Sequence, residues 1–371
     1  MIKIKAPGRL CLFGEHQDYL GYPVISLAIS KYIYLKARKI SNPKFIIKLP
    51  DINQELEITL NNKELAYESN RDYLRSGYNQ FIRKKIKFNS GYRIVIKGDI
   101  PINAGVASSS ALIIAWLYFL NLISNRNLTP KELALLGYES EVKEFGEAGG
   151  MMDHFSSSFG NLIYLQSKNL KPKIAHYNVK LNGFVLGNSL EKKDTVKDLM
   201  RVKNLSLKSF EVLKDVMPEF DPVTSKLSEV KPFLESLESK YREKIIGNLI
   251  NRDLTLEAKK LLDTFQIHLK DKSNLKKDSY LLKEFYKPLG VLLTKHYEQL
   301  RDRIKVSIPK IDGMIQSCLD AGALGGKING SGFGGTIFVL APGKEKLMKN
   351  IINELGGKAF IIHTSDGVKQ Y

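Results

Sequence analysis

The sequence predicts an α+β protein of two domains, on three observations. The chain has 371 residues, more than a single hydrophobic core commonly serves. Residues 1–180 mix short strand-like runs with amphipathic helices. Residues 196–310 are dominated by helical spacing before glycine-flanked strands return. The expected division is therefore an N-terminal domain over 1–180 and a C-terminal domain over 181–371.

In chain order, IKIKA and VISLAISKYIYLKARKI read as strands around a polar loop, PGRLCLFGEHQDYLGYP. IIKLP and LEITL read as further strands. YLRSGYNQFIRKKI carries apolar residues at helical spacing, and GYRIVIKGDIP returns to strand alternation. PINAGVASSSA then leads into a long apolar helix, LIIAWLYFLNLI. In TPKELALLGYESEVKEF, Thr129 is a good N-cap, Pro130 occupies the first helical position, and Glu132 and Glu139 support an amphipathic helix. GNLIYL reads as a strand. The second half holds helical patterns such as FLESLESKYREKIIGNLI and YKPLGVLLTKHYEQLRDRI. GALGGKINGSGFGGTIFVL then gives a strand–loop–strand signal, and the helix KEKLMKNIINEL and the strand AFIIHTS follow.

Composition narrows the class. Hydrophobic content of 43% and charged content of 26% are those of an ordinary globular protein. No apolar run reaches the roughly 18 uncharged residues of a membrane helix, and the first residues lack a signal-peptide core. A cytoplasmic protein without a membrane partner is expected. Cys11 and Cys318 alone imply no disulfide scaffold. The net charge of +18 raises nucleic-acid binding, but the lysines are interleaved with acids and no recognition motif accompanies them. A lysine-rich solvated surface and no nucleic-acid partner are expected.

Three segments can carry chemistry. At the mouth of the apolar helix, free N–H groups and a partial positive charge attract phosphate. There Gly105 permits close approach, Asn103 tolerates left-handed backbone, and Ser108, Ser109 and Ser110 supply hydroxyls. A plain serine cap is the alternative. The segment lacks GxxxxGK[ST]; Gly330, Gly332 and Gly334 in GSGFGG run straight into a strand, so no dinucleotide fingerprint is formed. The second segment groups Arg9, Glu15, His16 and Asp18, a donor–acceptor mixture suited to a polyol or simply to solvent. In the third, Asp153 follows glycines and methionines, an apolar setting for an acid that could take a proton from a hydroxyl or cap a helix.

Taken in order, these pieces resemble the GHMP kinase superfamily and, within it, the galactokinases. APGRLCLFGEHQDYLGYPVISLAI resembles the galactokinase signature loop, and PINAGVASSSA the superfamily phosphate motif. ESEVKEFGEAGGMMDHF is similar to the stretch joining a metal-binding glutamate to a catalytic aspartate. KHYEQLRDRIKVSIPKIDGMI resembles the helix before the third motif, and KINGSGFGGTIFVL that motif itself. The resemblance implies a two-domain GHMP kinase fold: an N-terminal α/β domain like ribosomal protein S5 domain 2 and a ferredoxin-like C-terminal domain. It implies ATP-dependent phosphorylation of a sugar hydroxyl, most simply the anomeric one of galactose.

Carried over by position, Asp153 is the base, assisted by Arg9, and Glu15, His16, Asp18 and Asp153 bind the substrate. Asn103, Gly105, Ser108, Ser109, Ser110, Gly330, Gly332 and Gly334 bind ATP, and Ser109 and Glu141 bind Mg2+. The implied partners are ATP and a monosaccharide, for a monomer or homodimer. The chain departs from the pattern at Asn103, Ala107, Gln17, Leu20 and Tyr22. The tyrosine expected against the sugar falls near Met200. N-acetylhexosamine, another sugar or mevalonate therefore stay open as acceptors, as does a silent sensor of sugar and ATP.

Overall fold

A computed structural model describes residues 1–101, 104–167, 171–192, 195–270 and 281–371. The chain opens with β1 (Ile2–Phe13) and the long β2 (Pro23–Ile40), which pair antiparallel. β3 (Lys44–Leu49), β4 (Gln54–Thr59) and β5 (Gly91–Gly98) extend the sheet, β3 and β5 being parallel. β6 (Leu162–Gln166) pairs with the first residues of β2, and β7 (Lys173–Tyr177) with β6. The short β12 (Lys369–Gln370) lies on β1 and completes an 8-stranded sheet. The other sheet is antiparallel and 4-stranded, ordered β11 (Lys358–Ile362), β8 (Phe184–Asn188), β10 (Thr336–Leu340), β9 (Gly325–Asn329).

The segment PGRLCLF, expected as loop, is strand. Residues Ala6–Phe13 are buried throughout, so burial on both faces replaces the polar–apolar alternation that announces a strand. Register shifts between Pro7 and Arg9 and between Cys11 and Phe13 bend β1 where a proline could not join a regular ladder. Strands β7 and β8 were also not announced by the sequence.

Four helices cover the large sheet: α1 (Tyr73–Arg83), α2 (Ser108–Ile123), α3 (Pro130–Tyr138) and α4 (Met152–Phe159). α2 is apolar all round and correspondingly sunk in the core through Ile113, Trp116, Phe119 and Leu120. Thr129 caps α3 as its sequence predicts, and Glu132 completes a capping box with it. The helix does not run on regularly: Glu139–Lys143 widens into a π turn, a distortion frequent at functional sites.

The helix-rich part comprises α5 (Thr195–Val216), α6 (Leu227–Leu234), α7 (Ser239–Lys270), α8 (Lys287–Asp302), α9 (Pro309–Asp320) and α10 (Glu345–Glu354). Ile311, Met314, Cys318, Met348 and Ile352 pack α9 and α10 onto the smaller sheet through Ile328 and Ile337. Phe210 and Leu213 of α5 meet Ile245 and Leu249 of α7 and, from the signature loop, Tyr22. The main core continues from α2 into Leu289 and Phe338, so apolar burial locks both sheets together. Cys11 and Cys318 are both free and buried. Among the described residues no helix is long and apolar enough to cross a membrane.

Candidate active site

The ends of β1, α2 and α4 converge on one cleft. Gly8 lets β1 approach the turn before α2, because a Cβ there would lie 2.7 Å from the Val106 carbonyl. The Arg9 N–H donates to that same carbonyl at 3.2 Å. Arg9 then reaches across the cleft. Its Nε and Nη2 donate to Asp153 Oδ1 and Oδ2 at 2.8 and 3.0 Å, and its Nη1 to the Gly105 carbonyl at 2.5 Å. Burial works against the Arg9 charge, but Asp153, Cys11 and Glu15 together outweigh it and lift the guanidinium above its ordinary pKa. The Arg9 side chain is 6% exposed and that of Asp153 28%, so the carboxylate is the half of the pair open to the cleft. Asp153 stands in the first turn of α4, where the helix dipole favours its charge.

The serines do not cap α2. The N-cap is Ala107, in left-handed backbone at φ 61°, and no side chain caps the helix. Ser108, Ser109 and Ser110 form the first turn itself, facing the cleft, with Gly105 left-handed at φ 83° just before them. Glu141, set inward by the π turn, accepts from Ser110 Oγ at 2.8 Å and meets His154 Nε2 at 2.7 Å. Burial alone would raise the Glu141 pKa, but His154, Ser109 and Ser110 together hold it below the usual value. Glu141 and Ser109 thus offer hard oxygens beside the helix mouth. Among the described residues no three His, Cys, Asp or Glu side chains cluster as a metal cage. A cation here would draw its other ligands from bound phosphate and water, the habit of magnesium. Asn103 lies outside the described residues.

The signature loop divides its roles. His16, in left-handed backbone, bonds Tyr19 Oη at 2.9 Å and the Ser331 carbonyl at 3.0 Å, linking the first motif to the third. Asp18 accepts from the Met152 N–H at 2.7 Å and from Ser167 Oγ at 3.2 Å. Burial nevertheless pushes its pKa from 3.8 up to about 6. A folded-state value above the ordinary one means that the neutral acid favours folding. That stabilisation is full below pH 3.8 and is lost as pH rises through about 6. The variant Asp18→Asn is therefore expected to be more stable than wild type above pH 7, with the gap closing on acidification. Thermal melts across this range check it; a gap that does not change with pH would contradict it.

Glu15, grouped with the substrate-binding residues, lines the same cleft while its carboxylate pairs with the buried Lys327, with side chains 1% and 0% exposed. Lys327 Nζ also donates to the carbonyls of Cys11 and Ile328 at 3.0 and 2.9 Å. Gln17 binds the Asn248 carbonyl of α7 at 3.0 Å. Gly330 is left-handed at φ 87° and touches the Gly105 backbone, where a Cβ would come within 2.9 Å. Gly332 and Gly334 press on the carbonyls of Val306 and Glu191 and shape the loop from behind.

Sequence reasoning missed several residues. Asn329 bridges three segments: its Oδ1 accepts from the Cys11 N–H and its Nδ2 donates to the Gly105 carbonyl, both at 2.8 Å. A polar residue at every second position of KIN, in an otherwise apolar strand, was the available signal. Arg71 holds Glu147 in a bidentate pair at 2.8 and 2.7 Å, and both line the cleft. Leu199, beside Met200, also lines it.

With this geometry in view, comparison with known proteins is informative. Family models match in chain order: the galactokinase galactose-binding signature over residues 2–39, the GHMP kinases N-terminal domain over 72–161 and the GHMP kinases C-terminal domain over 279–359. A mevalonate kinase of Pyrococcus furiosus is 27% identical, covering 98% of this chain and 96% of its own length. A galactokinase of Thermotoga maritima is 28% identical, covering 100% of both. Among solved structures, Lactococcus lactis galactokinase complexed with galactose superposes with a TM-score of 0.80 at 20% identity, over 100% of this chain and 95% of that one. The Methanococcus jannaschii mevalonate kinase gives 0.68 at 21% identity, over 98% of each chain. The two-domain α+β architecture is shared with both.

Proposed function

The chain belongs to the GHMP kinase superfamily and is a small-molecule kinase, and within that class we propose that it phosphorylates a monosaccharide. ATP is the donor, and the acceptor is most simply the anomeric hydroxyl of galactose or a close relative. The observation that carries this reading is the Arg9–Asp153 pair beside the uncapped mouth of α2. Asp153 takes the hydroxyl proton on its exposed carboxylate. Arg9 holds that carboxylate in place through two hydrogen bonds and sets a positive charge where negative charge builds during transfer. The N–H groups of α2 with Gly105, Ser108, Ser109 and Ser110 receive the phosphates, and Asn103 keeps the ATP-binding role that the sequence resemblance implies. Gly330 closes the third loop against Gly105, and Gly332 and Gly334 shape that loop over the nucleotide from behind.

Ser109 and Glu141 would hold Mg2+, which neutralises phosphate charge when bound. Both Ser109→Ala and Glu141→Gln are expected to raise the magnesium concentration required for half-maximal turnover. An unchanged magnesium titration would refute these roles. On the acceptor side, Glu15, His16, Asp18 and Asp153 are the proposed sugar-binding residues, Glu15 being held by Lys327. We take the division near residue 180 as part of the same proposal, the N-terminal portion carrying base, arginine and phosphate turn.

One observation favours a second reading. The Glu15 carboxylate is paired within the protein, and the chain matches a mevalonate kinase as well as it matches galactokinases. Mevalonate is therefore the competing acceptor. The test incubates the protein with ATP, Mg2+ and a panel of galactose, N-acetylhexosamines, other hexoses and mevalonate, and reads ADP release. Release with a sugar supports the proposal, and release with mevalonate alone overturns it. Sugar binding without any release would mark a silent sensor.

A further inference from the structure

We infer that a basic cavity behind the third glycine loop is a second anion site, built for a phosphate-bearing small molecule. The cavity, of ≈ 470 Å³, lies between α5, the first turn of α7 and the segment after α8. Arg201, Lys240, Lys244, Arg303 and Lys305 line it, with one acid, Glu243, and Phe333 of the glycine loop. Three of these cations already have acids: Arg303 pairs with Glu243 at 2.5 Å, Lys240 with Glu238 at 2.7 Å and Arg201 with Asp198 at 3.6 Å. Lys244 and Lys305 do not, among the described residues. Lys244 is 6% exposed and donates to the Ile304 carbonyl, which leaves its charge unneutralised.

Holding like charges around a cavity is costly unless an anion completes the set. Burial pushes Lys244 from its ordinary 10.5 down to about 8, with Lys305 and Arg201 adding to the effect. It is still mostly charged at neutral pH. The first turn of α7 contains no acidic residue, so the positive end of that helix adds to the same field. Two uncompensated cations match the dianion of a phosphate monoester or diphosphate better than a single carboxylate. The cavity also touches the glycine loop directly, since the Arg201 guanidinium lies 4.8 Å from the centre of the Phe333 ring. None of its cations belongs to the proposed catalytic set, and the inference does not depend on the acceptor.

A local reporter tests it. In the full-length Phe333→Trp protein, inorganic pyrophosphate is expected to change the fluorescence of the new indole saturably. Trp116, the sole native tryptophan, is fully buried in the other lobe and gives a constant background. Adding Lys305→Glu, an exposed and structurally mild change, should weaken that response ~10-fold or more. Lys244→Met should weaken it similarly. A response insensitive to both changes, or no response at all, overturns the inference. Malonate binding as tightly as pyrophosphate would overturn the phosphate preference. Phe333 sits in the glycine loop assigned to ATP, so a response counts for this cavity only where Lys305→Glu and Lys244→Met both weaken it, and neither lysine belongs to the set that ADP release tests.

Discussion

Replacing Asp153 with asparagine is expected to lower turnover by ~10²-fold or more while leaving ATP binding nearly intact, since a positioned general base contributes on the order of 10²–10⁴. Asparagine keeps the side-chain shape but cannot accept the hydroxyl proton at neutral pH. It also removes the charge that Arg9 grips through both Nε and Nη2, so the guanidinium is left to the Gly105 carbonyl. A structural penalty accompanies the kinetic one, softened because the aspartate side chain is 28% exposed. The two separate experimentally: ADP release with the best acceptor reports turnover, nucleotide titration reports binding, and urea unfolding reports stability. Near-wild-type turnover would remove Asp153 from the mechanism. A loss explained wholly by unfolding would reduce it to a positioning role.

The largest effect on stability is expected from Lys327→Met, at ~3–5 kcal/mol, the usual cost of removing one member of a buried ion pair. The variant strands the Glu15 carboxylate, 1% exposed, without its cation, and strips donors from the Cys11 and Ile328 carbonyls. Methionine fills much of the same volume, so cavity formation contributes little. The companion Glu15→Gln/Lys327→Met removes both charges and should recover most of the loss. Urea midpoints of the three proteins check this. A single variant within about 1 kcal/mol of wild type would show that the pair does not hold the signature loop to β9.

What could be read in the sequence depended on how local each signal was. The start of α3 was legible, because Thr129 and Pro130 act within one turn. The serine turn was legible as a helix mouth, yet its use was ambiguous until Ala107, not a serine, proved to be the cap. Arg9 was placed in a loop because burial on both faces of β1 erased the alternation that marks a strand. Lys327 and Asn329 were passed over because their partners, Glu15, Cys11 and Gly105, lie hundreds of positions away. No spacing rule reaches that far. Glu141 was assigned by resemblance, while the π turn that swings it inward has no composition of its own.

The Gly105 carbonyl, gripped by Arg9 and by Asn329, has a consequence for synthesis. Asn329 follows the Gly105 carbonyl that it binds by 224 positions. At about 5–20 residues per second, a ribosome takes roughly 10–45 s to travel between them. Throughout that interval the emerging polypeptide carries the arginine and the serine mouth without the amide that ties them to the second lobe. Competence to turn over nucleotide is therefore expected only once Asn329 has emerged and tied the serine mouth to the second lobe.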